Sequence, residues 1–148
     1  MSRNQWTRRD MLKASTALAL PALVPAHVLG LDGAAPPSET VRVGVIGCGG
    51  RSRLIREGAD VKGFRVVAAC DCEVAKAQRY VQELSGGEKW GVYEDFRQMI
   101  DDEKLDAVMV ETTTHARAWI TIQAMQAGTD VYIEKPMCLT IGEGRTMV

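Results

Sequence analysis

Val41-Arg42-Val43-Gly44-Val45-Ile46-Gly47-Cys48-Gly49-Gly50-Arg51-Ser52 runs an apolar stretch straight into a cluster of glycines. Such a stretch reads as a strand, a tight turn and the start of a helix, most of a dinucleotide-binding fingerprint. Gly47 permits the turn, and Gly49 lets the backbone approach a pyrophosphate. Cys48, Gly50 and Arg51 complete the candidate cradle, where the following helix offers free N–H groups and its positive dipole end to phosphates. The third fingerprint position asks for a small residue, so that helix and strand pack closely, and Ser52 occupies it. On its own a glycine turn of this kind is also found in ordinary α/β proteins, so its neighbours decide its meaning.

The next apolar run, Phe64 to Cys70, ends at Asp71, about 20 residues beyond the glycines, where a ribose-binding acid is expected. A carboxylate there accepts hydrogen bonds from ribose hydroxyls and repels a 2′-phosphate. Cys72 and Glu73 follow it, with no Arg to hold such a phosphate, so NAD is favoured over NADP. Asp71 is equally suited to cap the helix that begins near Glu73, and the two roles are compatible.

With 148 residues the chain has room for one domain. A net charge of −1 with 25% charged residues argues against nucleic acid as a partner. Cys48, Cys70, Cys72 and Cys138 form no CxxC pair, and His27 and His115 are the only histidines, so no metal site is expected. The cysteines read as small apolar residues of buried strands and turns.

The first 30 residues differ in kind. Arg8-Arg9 precedes a mild apolar run from Ala14 to Ala26 that ends Val24-Pro25-Ala26, the pattern of a twin-arginine export signal. The expectation is therefore a periplasmic protein handled by the twin-arginine machinery; the competing reading is a basic tail with an Ala-rich helix. Residues 31–40, with Pro36-Pro37, read as a linker, and 41–148 as the folded domain.

Within that domain strands and helices alternate. Strands are expected at about 41–47, 64–70, 90–93, 105–110 and 131–133, with helices at about 51–59 and 73–84. A small helix carries Phe96, Met99 and Ile100, and another presents Ala118, Ile122 and Met125 before Gly128. The second helix is expected to bury Val74, Ala77, Val81 and Leu84 on one face. Strands without polar alternation belong to a parallel sheet covered on both faces. The fold class is α/β, a Rossmann-like doubly wound parallel sheet with right-handed crossovers.

At the fifth strand the chain reads Tyr132-Ile133-Glu134-Lys135-Pro136. Together with the glycine turn, Thr112 and His115, this resembles the Gfo/Idh/MocA oxidoreductases, the glucose–fructose oxidoreductase and inositol dehydrogenase kind of enzyme, from Val41 to Val148. The resemblance implies hydride transfer between a nicotinamide and a carbinol carbon of a sugar or cyclitol. It implies that Lys135 is the catalytic lysine, positioning or deprotonating the reacting hydroxyl, that Thr112 and His115 stand near the cofactor, and that Pro136 shapes the turn, often through a cis bond. A lysine at the carboxyl end of a strand agrees with where ligands bind such sheets. Glu134 resembles the family's acid near the nicotinamide ribose; an ion pair with a nearby Arg would explain it equally well.

Two departures stand out. Many relatives read Thr-Pro-Asp-His-Trp-His where this chain has Thr112-Thr113-Thr114-His115-Ala116-Arg117, which changes the mouth of the pocket. The resemblance implies a second α/β substrate domain, through which the family's oligomers largely form, and this domain is expected to be missing from the present chain. The expectation is an NAD-binding part that is inactive alone; a stand-alone nucleotide module, a non-functional gene fragment and an S-adenosylmethionine-binding methyltransferase are the alternatives.

Overall fold

A computed structural model describes residues 36–58 and 61–148. The arginine pair, the apolar run behind it and the first half of the linker lie outside the described residues. Of the linker, Pro37–Glu39 form one 3-10 turn, and the Thr40 hydroxyl donates to the Pro36 carbonyl at 3.0 Å.

Five strands form one parallel sheet: β1 (Val41–Ile46), β2 (Phe64–Cys70), β3 (Gly91–Tyr93), β4 (Ala107–Val110) and β5 (Asp130–Ile133). Their order is β3-β2-β1-β4-β5, with β1 paired to both β2 and β4. The chain thus winds outward from β1 to β3, returns past it to β4 and continues to β5. The reversal falls between β1 and β4, the topological switch point at which open α/β sheets bind ligands.

Among the described residues four α-helices connect and follow the strands: α1 (Val74–Leu84), α2 (Phe96–Glu103), α3 (Thr114–Gln126) and α4 (Ile141–Thr146). The segment after the glycine turn, Arg51–Gly58, is the short helix expected there, wound as a 3-10 helix. On one face of the sheet Ile46, Val108 and Val110 pack with Phe96 and Met99 of α2 and Ile120 and Ala124 of α3. On the other, Val45, Val66 and Ala69 pack with Ile55, Ala77 and Tyr80. This double cover explains why the strands are largely apolar and lack a regular polar alternation.

Two helix faces differ from expectation. Val74 is exposed, and Ala77 and Tyr80 form the buried seam of α1. In α3 the buried residues are Arg117, Ala118, Ile120, Thr121 and Ala124, while Met125 is exposed. Apolar periodicity misplaced that face because two polar side chains, Arg117 and Thr121, point inward. Cys48 and Cys70 are buried as expected, but Cys72 is exposed beyond the end of β2. Among the described residues no helix is long and apolar enough to cross a membrane, and no cluster of His, Cys, Asp and Glu could hold a metal ion.

Candidate functional site

The turn after β1 is built around Gly47, whose φ of +97° lies in the left-handed region. A β-carbon there would sit 2.9 Å from the Glu111 carbonyl carbon and the Thr112 nitrogen, so the turn lies directly against the chain leaving β4. Both the dihedral and the contact demand glycine. Gly49 and Gly50 are exposed, and a β-carbon on either would meet nothing within 4 Å. The space over them is open, as close approach of a pyrophosphate to the backbone requires.

Two hydroxyls fix the far side of the turn. Ser52 is buried and its Oγ donates to the Gly49 carbonyl at 2.8 Å. Tyr80 of α1, also buried, donates its hydroxyl to the Ser52 carbonyl at 2.8 Å. Burial pushes the Tyr80 hydroxyl up to about 12, so it remains a donor at neutral pH. Burial likewise pushes the Cys48 thiol up to about 12, and its Sγ donates weakly to the Cys70 carbonyl at 3.6 Å.

Asp71 joins the turn to the end of β2. Its Oδ2 accepts the Cys48 N–H and its Oδ1 the Glu73 N–H, both at 2.9 Å. Glu73, not Asp71, occupies the cap position of α1, yet Asp71 serves the backbone just ahead of that helix. Oδ1 also accepts weakly from Cys72 Sγ at 3.8 Å, so Oδ2 is the oxygen with a lone pair free for a ribose hydroxyl.

At the end of β5 the Glu134 side chain is buried, with Oε2 accepting from Arg51 Nε at 2.8 Å and Oε1 from the Lys135 N–H at 3.1 Å. The Arg51 hydrogen bond holds the Glu134 carboxyl below its usual range. Of the two roles open to Glu134, the ion pair is the one present. Lys135 itself is exposed, and the Lys135–Pro136 peptide is cis. Arg117 reaches from α3 beneath this turn and donates from Nη1 to the Pro136 carbonyl at 2.9 Å. It therefore supports the Lys135–Pro136 turn from inside and does not line an open mouth. His115 is exposed in the first turn of α3, and Thr112 is half-buried between β4 and that helix.

The residues singled out from sequence thus gather at the carboxyl ends of β1, β2, β4 and β5. Sequence reasoning missed Glu111, which follows β4 and has a buried Oε2 without a hydrogen-bond partner. Burial first, and then Glu134, raise its carboxyl above the usual range.

Residues 41–148 match the GFO_IDH_MocA family model, described as an oxidoreductase family with an NAD-binding Rossmann fold. The chain belongs to the Gfo/Idh/MocA family. It is 28% identical over 111 residues to the inositol 2-dehydrogenase of Salmonella typhimurium, covering 74% of this chain and 32% of that protein. It is 32% identical over 108 residues to the D-apiose dehydrogenase of Paraburkholderia graminis, covering 70% and 27%. The WlbA dehydrogenase of Bordetella pertussis, solved with NADH and UDP-GlcNAcA, superposes with a TM-score of 0.65 at 26% identity, covering 74% of this chain and 33% of that one. The chain spans between about a quarter and a third of the length of these relatives. What it comprises is the family's NAD-binding Rossmann fold.

The residues present fit that cofactor: an open glycine turn, an oriented acid after β2 and an unpartnered carboxyl oxygen at the switch point. When bound, the nicotinamide supplies a hydride donor or acceptor. The chain's own residues would bind the phosphates at Gly47 to Ser52, receive a ribose at Asp71 and place the Lys135 ammonium at the open end of β5.

Proposed function

We propose that this chain is the NAD-binding part of an exported dehydrogenase that acts on CH–OH groups of sugars or cyclitols, and that it is inactive alone. The observation that carries the reading is Asp71, whose two oxygens accept the Cys48 and Glu73 N–H groups and so stand as a fixed acid beside the open glycine turn. Hydride transfer needs donor, acceptor and acid–base group held together and shielded from water. Lys135 is exposed here, so the shielding must come from further polypeptide. In the complete enzyme Lys135 would donate a hydrogen bond to the reacting hydroxyl and, once deprotonated, accept its proton, with Arg117 and Pro136 holding the turn in place. Thr112 and His115 border the nicotinamide end.

Calorimetric titration tests the reading. The expected result is saturable NAD binding, weaker binding of NADP, and no turnover when myo-inositol or an aldose is added. Absence of binding to either dinucleotide in a folded protein would refute the cofactor assignment. The titration also separates the alternatives: a gene fragment that has lost its fold would bind nothing, and a methyltransferase domain would prefer S-adenosylmethionine.

Export rests on Arg8-Arg9 and the apolar run that follows. Residues 1–30 fused to a folded reporter should carry it to the periplasm, and replacing both arginines by lysine should stop it. Because this route takes folded cargo, NAD would be loaded in the cytoplasm and retained. Periplasmic full-length protein that releases no nicotinamide on denaturation would sink the retention idea.

A further inference from the structure

We propose that Glu111 supplies the hydrogen-bond acceptor for the ribose on the nicotinamide side of the dinucleotide, resting on the cofactor reading above. The argument begins with the order of the strands. β4 lies between β1 and β5, so the residue leaving β4 lies between the glycine turn and the Lys135 turn. A dinucleotide whose pyrophosphate rests on Gly47 to Ser52 and whose nicotinamide reaches Lys135 must cross the end of β4. The moiety between pyrophosphate and nicotinamide is a ribose with two hydroxyl donors. Glu111 is the first residue it meets, since Gly47 packs against the Glu111 backbone.

Three acids stand along this path, and two are tethered. Asp71 is held by Cys48 and Glu73, and Glu134 by Arg51 and the Lys135 N–H. Glu111 Oε2 has no hydrogen bond and is cut off from water, although the residue as a whole is only half-buried. A buried polar atom without a partner is uncommon and calls for an explanation. Rotation about the Cα–Cβ or Cβ–Cγ bond can swing the carboxylate outward without breaking a hydrogen bond of Oε2, and a ribose hydroxyl donating to it would relieve the deficit. The charged groups around it are Glu134 from β5, Arg51 from the glycine turn and Arg117 from α3. Two guanidiniums beside two carboxylates keep the region near neutral, so an added anionic cofactor is not repelled.

The test compares two ligands on the 148-residue chain by calorimetric titration: NAD, and ADP, which lacks the nicotinamide riboside. Glu111→Leu should weaken NAD about tenfold and change ADP by less than twofold. Glu111→Gln, which keeps an acceptor oxygen, should lie between Leu and the parent for NAD. Equal losses for NAD and ADP, or an unchanged NAD affinity, would overturn the assignment. If the Leu variant does not fold, as judged by its circular dichroism, the Gln variant decides, and an unchanged NAD-to-ADP ratio there overturns it. A parent chain that binds neither ligand refutes the cofactor reading and this inference together; a parent that binds NAD with variants that match it refutes this inference alone.

Discussion

Arg51 Nε donates to Glu134 Oε2 at 2.8 Å, tying the turn after β1 to the end of β5 across the mouth of the switch point. Arg51 is half-exposed, so the pair adds little to stability. Its effect is to place a guanidinium and the Lys135 backbone on one carboxylate. Glu134→Gln should leave the thermal midpoint nearly unchanged and weaken NAD several-fold. A thermal melt and a titration on the same sample check both halves, and a lower midpoint with intact affinity would make the pair structural only.

The glycines of the turn should separate by role. Gly47→Ala forces a side chain into a left-handed φ and against backbone 2.9 Å away, so it should cost about 1–2 kcal/mol from the dihedral alone and abolish binding. Gly49→Ala meets nothing within 4 Å and should melt like the parent, yet lose at least tenfold in NAD affinity. Denaturant unfolding read beside titration distinguishes the two.

Tyr80→Phe removes the buried hydroxyl that donates to the Ser52 carbonyl at 2.8 Å and leaves that carbonyl without its donor. The expected loss is about 1 kcal/mol, a fall of roughly 4–8 °C in the melting midpoint for a domain of this size. Because the same bond braces the turn, NAD affinity should fall modestly with it.

The two acids at the switch point pull stability in opposite directions with pH. The Glu111 carboxyl lies above its usual 4.5 when folded, so the native state holds its proton longer than the unfolded chain. Its contribution is complete below that value and is lost as pH rises through the folded value. Glu134 is lowered by Arg51, so its contribution is present above 4.5 and is lost as pH falls through its folded value. Glu111→Gln should therefore gain on the parent in relative stability as pH rises from 4.5 toward neutrality. Chemical denaturation across that range checks it, and parallel curves would show that Glu111 titrates normally.

Much of this arrangement was legible in the sequence. β2 occupies Phe64–Cys70 as its largely apolar run indicates, and the glycine turn, Asp71 and the end of β5 lie where a doubly wound sheet brings them. Local patterns could not reveal side chains whose burial depends on distant partners. Arg117 reads as a surface residue until the Pro136 carbonyl, 19 positions away, is seen to accept from it. Glu111 gave no signal either, because an acid after a strand looks the same whether its carboxylate oxygens meet water or are buried. The 3-10 winding of Arg51–Gly58 was equally hidden, for its apolar residues Leu54 and Ile55 suit either helix.

Asp71 carries one more consequence. Both of its oxygens are fixed by backbone N–H groups during folding, so its rotamer is settled before any ligand arrives. A ribose that docks there freezes no side chain, and the entropy otherwise lost on ordering a free carboxylate is already spent. Any discrimination between a free 2′-hydroxyl and a phosphorylated one at Asp71 would thus belong to the rigidity of the corner as much as to its charge. Loosening the corner by replacing Glu73 with proline, which removes the N–H that Oδ1 accepts, should blur that discrimination while the carboxylate remains in place.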